Sequence, residues 1–151
     1  MSAFYNMADL TINISDAEGF GLGTLESLSC GTPIVVTMTG GLQEQVTDGE
    51  NWFGVGLEPS SKAIIGSQEI PYIYEDRINE DEFVEALEKI YNMSQEERKE
   101  LGAKGREHVL NNYSFKLYAE RWEELFKNLK ENYGSWDTRK NYKNWHLKEV
   151  K

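Results

Sequence analysis

Leu10-Thr11-Ile12-Asn13-Ile14-Ser15, then Glu18-Gly19-Phe20-Gly21-Leu22-Gly23, then Ile34-Val35-Val36 are the stretches that decide the fold. In the first, Leu10, Ile12 and Ile14 alternate with polar residues, the period of a strand with one buried face. The second is a glycine-rich turn. From Thr24 to Cys30 the pattern predicts a short helix with Leu25 and Leu28 on one face, stopped by Gly31 and kept from continuing by Pro33. Ile34-Val35-Val36 is a continuous apolar run, as expected of a parallel strand covered on both faces. Gly40-Gly41 ends it. Strand, turn, helix and strand make one βαβ unit, for which a right-handed crossover is expected. The fold class that follows is α/β.

Outward from this unit, Ala3 to Ala8 reads as a short helix leading into the first strand. Residues 61–79 read as irregular, with a short strand around Tyr72-Ile73-Tyr74. From Asn79 onward the chain is expected to be helical. Asn79 with Glu82 resembles a capping box, followed by a stripe of Phe83, Leu87, Ile90 and Tyr91; Ser94 with Glu97 is a second, better box. Ser114 is placed to cap a third helix, in which Leu117, Tyr118, Trp122, Leu125, Phe126 and Leu129 recur at helical spacing. Residues 134–151 have no clean period. The expected organisation is one domain over 1–133 and a basic, aromatic tail over 134–151.

Composition bounds the function. The 151 residues are 39% apolar and 12% aromatic, enough for a buried core, and no apolar run approaches the ~18 residues of a membrane span. The start, MSAFYNMADL, lacks the basic and apolar regions of a signal peptide, so the expected location is the cytoplasm. A single cysteine, Cys30, leaves no internal disulfide and no paired-cysteine zinc site. The net charge of −10 is unevenly spread. Residues 1–61 hold eight acids and no Lys or Arg, whereas residues 134–151 hold five basic residues against two acids. That balance argues against nucleic acid as a partner of the body of the chain. Only the tail, where Trp136, Arg139, Lys140, Tyr142, Lys143 and Trp145 interleave, has the pattern of a single-strand binder.

The first candidate for chemistry is the glycine-rich turn. Three glycines within five residues let backbone amides approach a ligand, and the helix behind them turns its positive end toward an anion. Thr24 falls at or near the N-cap, in reach of a phosphate. The same glycines would equally serve an ordinary tight turn, and GFGLGT lacks the G-x-G-x-x-G spacing of a dinucleotide site. Glu18 and Glu26 bracket the turn, eight residues apart. A carboxylate there can accept hydrogen bonds from a ribose diol or a sugar, or it can simply stabilise a helix start. Cys30 at a helix end reads as a small core residue rather than a nucleophile. His108 and His146 lack partners at metal-ligand spacing, so no metal site is expected.

The stretch Tyr5-Asn6-Met7-Ala8-Asp9-Leu10, Ser15-Asp16-Ala17-Glu18-Gly19-Phe20-Gly21-Leu22 to Glu26, Cys30-Gly31-Thr32-Pro33-Ile34-Val35, and Gly40-Gly41-Leu42-Gln43-Glu44 to Asp48-Gly49 resembles one family. It is similar to the C-terminal domain of GT-B nucleotide-sugar glycosyltransferases, family 4, whose E-x7-E motif the acid pair matches. Glu97-Arg98, Leu101-Gly102, Arg106 and Tyr113-Ser114-Phe115 resemble that family's closing helices. The resemblance covers about four fifths of the chain. It implies a partial Rossmann-like domain with parallel strands and a helical C-terminal part.

The same resemblance implies roles. Glu18 would lie near the donor sugar and the reaction centre, and Glu26 would hold the ribose hydroxyls. The backbone of Gly19, Phe20, Gly21 and Leu22 would line the donor sugar and diphosphate, with Thr24 at the helix end. The implied enzyme is a retaining, hexosyltransferase-type transferase. It would use a nucleoside-diphosphate sugar as donor substrate, with no metal and no cofactor. Against the family pattern, the chain begins inside the second of two domains, and no cation precedes Lys62. Departure of a nucleoside diphosphate without a metal needs preorganised positive charge, so this chain is expected to be inactive alone and to require its missing N-terminal half or a partner chain. Residues 61–76 depart from the pattern as well and are assigned no ligand. An alternative is a non-catalytic interaction module that keeps the fold and binds a partner chain. Either way, a sheet edge and a Trp-rich tail left open predict self-association.

Overall fold

The computed structural model describes residues 2–141, so the expectations for Tyr142, Lys143, Asn144, Trp145 and His146 lie outside the described residues. The chain divides into two compact units, Met1–Asn112 and Tyr113–Lys151.

The first unit opens with α1 (Ser2–Met7) and β1 (Thr11–Asn13), continues through α2 (Leu22–Ser29), β2 (Ile34–Thr37), α3 (Leu42–Val46) and β3 (Gly54–Leu57), and closes with β4 (Ser61–Ile65), β5 (Ile73–Arg77), α4 (Glu80–Tyr91) and α5 (Gln95–Asn112). β1, β2 and β3 form a parallel sheet in that order, with Thr11 opposite Ile34 and Ile34 opposite Gly54. The βαβ unit is therefore present, and mixed α/β architecture with a parallel sheet is the fold.

β2 is central, and Ile34, Val35 and Val36 have no exposed surface. Its apolar run is continuous because both faces are covered. Val35 packs with Leu57 and with Ala86 and Ile90 of α4, supported by Leu10, Val55, Ile78, Phe83, Met93 and Leu101. Full burial of side chains such as Val35, Leu57 and Ile90 contributes about 1.5–3 kcal/mol each. β1 is an edge strand, and there the alternation does not translate into burial: Ile12 and Ile14 remain 46% and 43% exposed. An edge strand has a neighbour on one side only.

α2 stops as the sequence dictates. Gly31 takes φ +80, its amide donates to Leu28 O, and the amide of Thr32 donates to Ser27 O. These are the two bonds of a Schellman motif. α5 lies against this end of α2. A Cβ on Gly102 would sit 1.8 Å from Gly31 O, so only glycine permits the approach. The start of α5 is a complete capping box: Ser94 N–H donates to Glu97 Oε2 at 2.7 Å, and Glu97 N–H donates to Ser94 Oγ at 3.2 Å. At α4, Asn79 Oδ1 accepts from Asp81 N–H at 2.8 Å. The stripe of α4 buries Ala86 and Ile90 and half-buries Phe83 and Leu87, but Tyr91 is exposed.

Two parts differ from expectation. α3 and β3 add a helix and a third strand after Gly41. The strand Gly54-Val55-Gly56-Leu57 alternates glycine with apolar residues, a composition with poor strand propensity that close pairing with β2 overrides. Residues 61–77 are not irregular but an antiparallel hairpin, in which β4 pairs with β5 from Ser61 opposite Arg77 to Ile65 opposite Ile73. Its strands are short, and the seven residues Gly66–Tyr72 between them hide the pairing.

The second unit contains α6 (Phe115–Tyr133), capped where Ser114 Oγ accepts from Leu117 N–H at 3.3 Å. Its apolar stripe is a run of ring contacts: Phe115 to Tyr118 and Tyr118 to Trp122 at 6.1 Å, and Trp122 to Phe126 at 5.3 Å. Tyr118, Trp122, Leu125, Phe126 and Leu129 are all exposed.

Candidate functional site

The acid-flanked turn lies at the C-terminal end of β1, where ligands of open parallel sheets bind. Asn13 Oδ1 ends the strand by accepting from the amide and hydroxyl of Ser15. The chain then turns through Asp16–Phe20 to Gly21, which adopts φ +85 as the N-cap of α2. Leu25 N–H makes the first intrahelical bond, to Gly21 O at 3.2 Å. The amides of Leu22, Gly23 and Thr24 thus belong to the helix start, which has no intrahelical acceptors for them and carries about half a positive charge. Phe20 and Leu22 are exposed beside them.

The loop after β2 forms the floor of this turn. Gly41 N–H donates to Gly19 O at 3.1 Å, and a Cβ on Gly40 would fall 1.6 Å from Glu18 O. Gln45 of α3, fully buried, donates through Nε2 to Phe20 O at 2.5 Å, and its Oε1 lies 2.6 Å from the Thr24 hydroxyl. That hydroxyl is also 2.8 Å from Gly21 O. Thr24 is the third residue of α2 rather than its N-cap, and its side chain is buried in the support of the turn. Its amide is what the helix start offers a ligand.

Glu18 is partly buried in the loop; Glu26 is exposed on α2. Tyr5 of α1 donates its hydroxyl to Glu26 Oε2 at 3.1 Å. Desolvation, then the hydrogen bond and charge of Glu26, raise the Tyr5 phenol above its ordinary pKa. A carboxylate held by a phenol at one oxygen leaves the other to accept from a diol.

Positive charge reaches the turn from β5. Arg77 Nη1 lies 2.9 Å from Asp16 Oδ2, and Asp76 N–H donates to Asp16 O at 2.7 Å. The sequence gives residues 61–76 no ligand and singles out neither Tyr5 as a partner of Glu26 nor Gln45. None of the three carries a local signal, because each partner comes from a different element.

His108 stacks on Phe53 at 4.3 Å; its Nε2 lies 2.9 Å from Glu44 O and its Nδ1 lies 3.1 Å from Asn112 Nδ2. Cys30 is half-buried at the end of α2, with Sγ 3.9 Å from Ser2 O. Among the described residues no helix is long and apolar enough to cross a membrane.

Comparison with known proteins gives the family. The family model described as glycosyl transferases group 1 matches residues 1–108. The chain is 48% identical over 61 residues to a D-inositol 3-phosphate glycosyltransferase of Acidothermus cellulolyticus, a match covering 40% of this chain and 14% of that protein. It is 28% identical over 131 residues to a trehalose synthase of Pyrococcus horikoshii, covering 85% of this chain and 26% of that one. In fold it resembles a sucrose-phosphate synthase from Thermosynechococcus elongatus, with a TM-score of 0.64 and 24% identity over 85% of this chain and 27% of the other. The chain therefore spans about a quarter or less of the length of these relatives. With a family match across more than two thirds of its residues, the chain belongs to the group 1 glycosyl transferases.

Proposed function

We propose that the chain is the donor-binding part of a retaining, family 4-type glycosyltransferase that moves a sugar from a nucleoside-diphosphate sugar to an acceptor. One observation carries this reading: Glu18 and Glu26 flank the start of α2 at the C-terminal end of a parallel strand, with the loop backbone between them set on Gly40-Gly41. In it, Glu26, steadied by Tyr5, accepts the ribose hydroxyls. The amides of Leu22, Gly23 and Thr24 receive the diphosphate, while the Gly19–Phe20 backbone and Glu18 face the sugar.

Electrostatics limit what the chain does alone. Asp16 and Glu18 stand in the loop before α2 and Glu26 on that helix, and Arg77 is already engaged by Asp16 and Glu75. A helix end supplies only about half a charge against a doubly charged leaving group. We therefore assign the chain donor binding without transfer, and assign the missing cations to an N-terminal half or a partner chain. Calorimetry with UDP, GDP and ADP tests this. Glu26→Ala is expected to weaken whichever nucleotide binds by about 1.5–3 kcal/mol, the range of a charged hydrogen bond. Unchanged affinity in that variant would overturn the assignment.

A further inference from the structure

We propose that Arg77 is a positioning residue for Glu18: through its ion pair with Asp16 it makes the β4–β5 hairpin a clamp on the loop that carries the acid. The role given to Glu18 rests on the function proposed above; the clamp itself rests on geometry. Asp16 is held twice, at its carboxylate by Arg77 Nη1 (2.9 Å) and at its carbonyl by Asp76 N–H (2.7 Å). On the far side the loop is held by Gly41 N–H on Gly19 O. Only Ala17 and Glu18 lie between these ties.

The guanidinium is itself oriented. Nη2 lies 2.6 Å from Glu75 Oε2, and Nη1 donates to Asp76 O at 3.1 Å. A planar fork can meet Glu75, Asp76 and Asp16 together, which a lysine ammonium cannot do with the same preorganisation. Arg77 is also the first arginine of the chain, delivered to a turn whose own sequence neighbours are all acidic or neutral. Ion pairs this exposed contribute little to global stability. Their consequence here is local: they fix where the Glu18 backbone sits.

Amide hydrogen exchange on the full chain reads this directly, in the wild type, Arg77→Ala, Arg77→Lys, Asp16→Asn and the Asp16→Asn/Arg77→Ala double variant. The amides of Gly41 and Asp76, which donate to the carbonyls of Gly19 and Asp16, are expected to exchange roughly fivefold faster in Arg77→Ala and in Asp16→Asn, the ceiling set by an exposed ion pair. Lysine should restore only part of the protection, and the double variant should be no faster than the worse single one. Exchange in β2 should not change. Gly41 and Asp76 amides that keep wild-type protection in both single variants, or additive effects in the double, would overturn the clamp.

Binding supplies a second readout. Arg77→Ala should reduce affinity for UDP-glucose, GDP-glucose or ADP-glucose while leaving the matching nucleoside diphosphate unchanged, since Glu18 faces the sugar. Equal losses for both would overturn the link to Glu18. If the wild type binds no nucleotide, the proposed function fails, and the exchange data still decide the clamp.

Discussion

A Cβ placed on Gly40 would lie 1.6 Å from the carbonyl oxygen of Glu18, closer than any two non-bonded atoms can stand. The loop after β2 and the loop after β1 are therefore built as one object, and the backbone at Gly40 (φ +50) adds a second reason for glycine. Gly40→Ala should destabilise the chain by at least about 1–3 kcal/mol and displace the Glu18 loop, so that urea denaturation and nucleotide-sugar binding both change. Gly49 (φ +95) faces open space and serves as the control. Gly49→Ala should cost about 1–2 kcal/mol of backbone strain alone and leave binding intact. Equal effects on binding would contradict the account.

Tyr5→Phe isolates the support of Glu26 from Glu26 itself. Removing the hydroxyl eliminates the 3.1 Å bond and leaves the ring in place. Nucleoside affinity should fall by about 0.5–1.5 kcal/mol, less than in Glu26→Ala. A Tyr5→Phe loss as large as that of Glu26→Ala would mean that the phenol, not the carboxylate, contacts the ligand.

Acid stability follows from two depressed carboxyls. Asp48 is lowered from 3.8 to about 2 by the backbone amide of Asn51, then by the Asn51 side chain and the amide of Glu50. Glu97 is lowered by the Ser94 amide and then the Ser94 hydroxyl of its capping box. A carboxyl whose folded pKa lies below its unfolded value stabilises the fold above the unfolded value. For Asp48 that contribution is complete above about pH 4 and is lost as pH falls through about 2. Asp48→Asn should flatten the pH dependence of the melting temperature in this window and leave it unchanged at pH 7–9. A flattening confined to neutral pH would contradict the assignment.

How much of this was legible in the sequence depended on whether partners were local. The run Ile34-Val35-Val36, the stop at Gly31 and the Ser94–Glu97 box each involve neighbours within a turn or a strand, and each formed as the residues indicated. β3 was hidden because Gly54 and Gly56 carry no strand signal, and its pairing with β2 is a tertiary effect. The two acids and the turn were visible as spacing. Their supports were not, since Tyr5 meets Glu26 from α1, Gln45 meets Thr24 from α3 and Arg77 meets Asp16 from β5.

The second unit predicts association. α6 displays Tyr118, Trp122, Leu125, Phe126 and Leu129 as one exposed stripe, and Trp136 follows it, 81% exposed. We propose that this stripe is an interface between copies of the chain. Light scattering should show a mass that rises with concentration, and Trp122→Glu with Phe126→Glu should suppress the rise. A concentration-independent monomer would refute this expectation.

The measurement closest to the central claim is an amide-resolved NMR titration of the full chain with UDP, GDP and ADP in turn. The account predicts that one of them shifts the amides of Gly19 to Thr24 and of Glu26, with weak binding near the millimolar range, about −4 kcal/mol, because Arg77, the cation that reaches the turn, is already paired with Asp16 and Glu75. The shifts should disappear in Glu26→Ala at the same concentrations. Micromolar affinity would contradict the charge argument, and saturable shifts confined to residues away from Glu18–Glu26 would contradict the site itself.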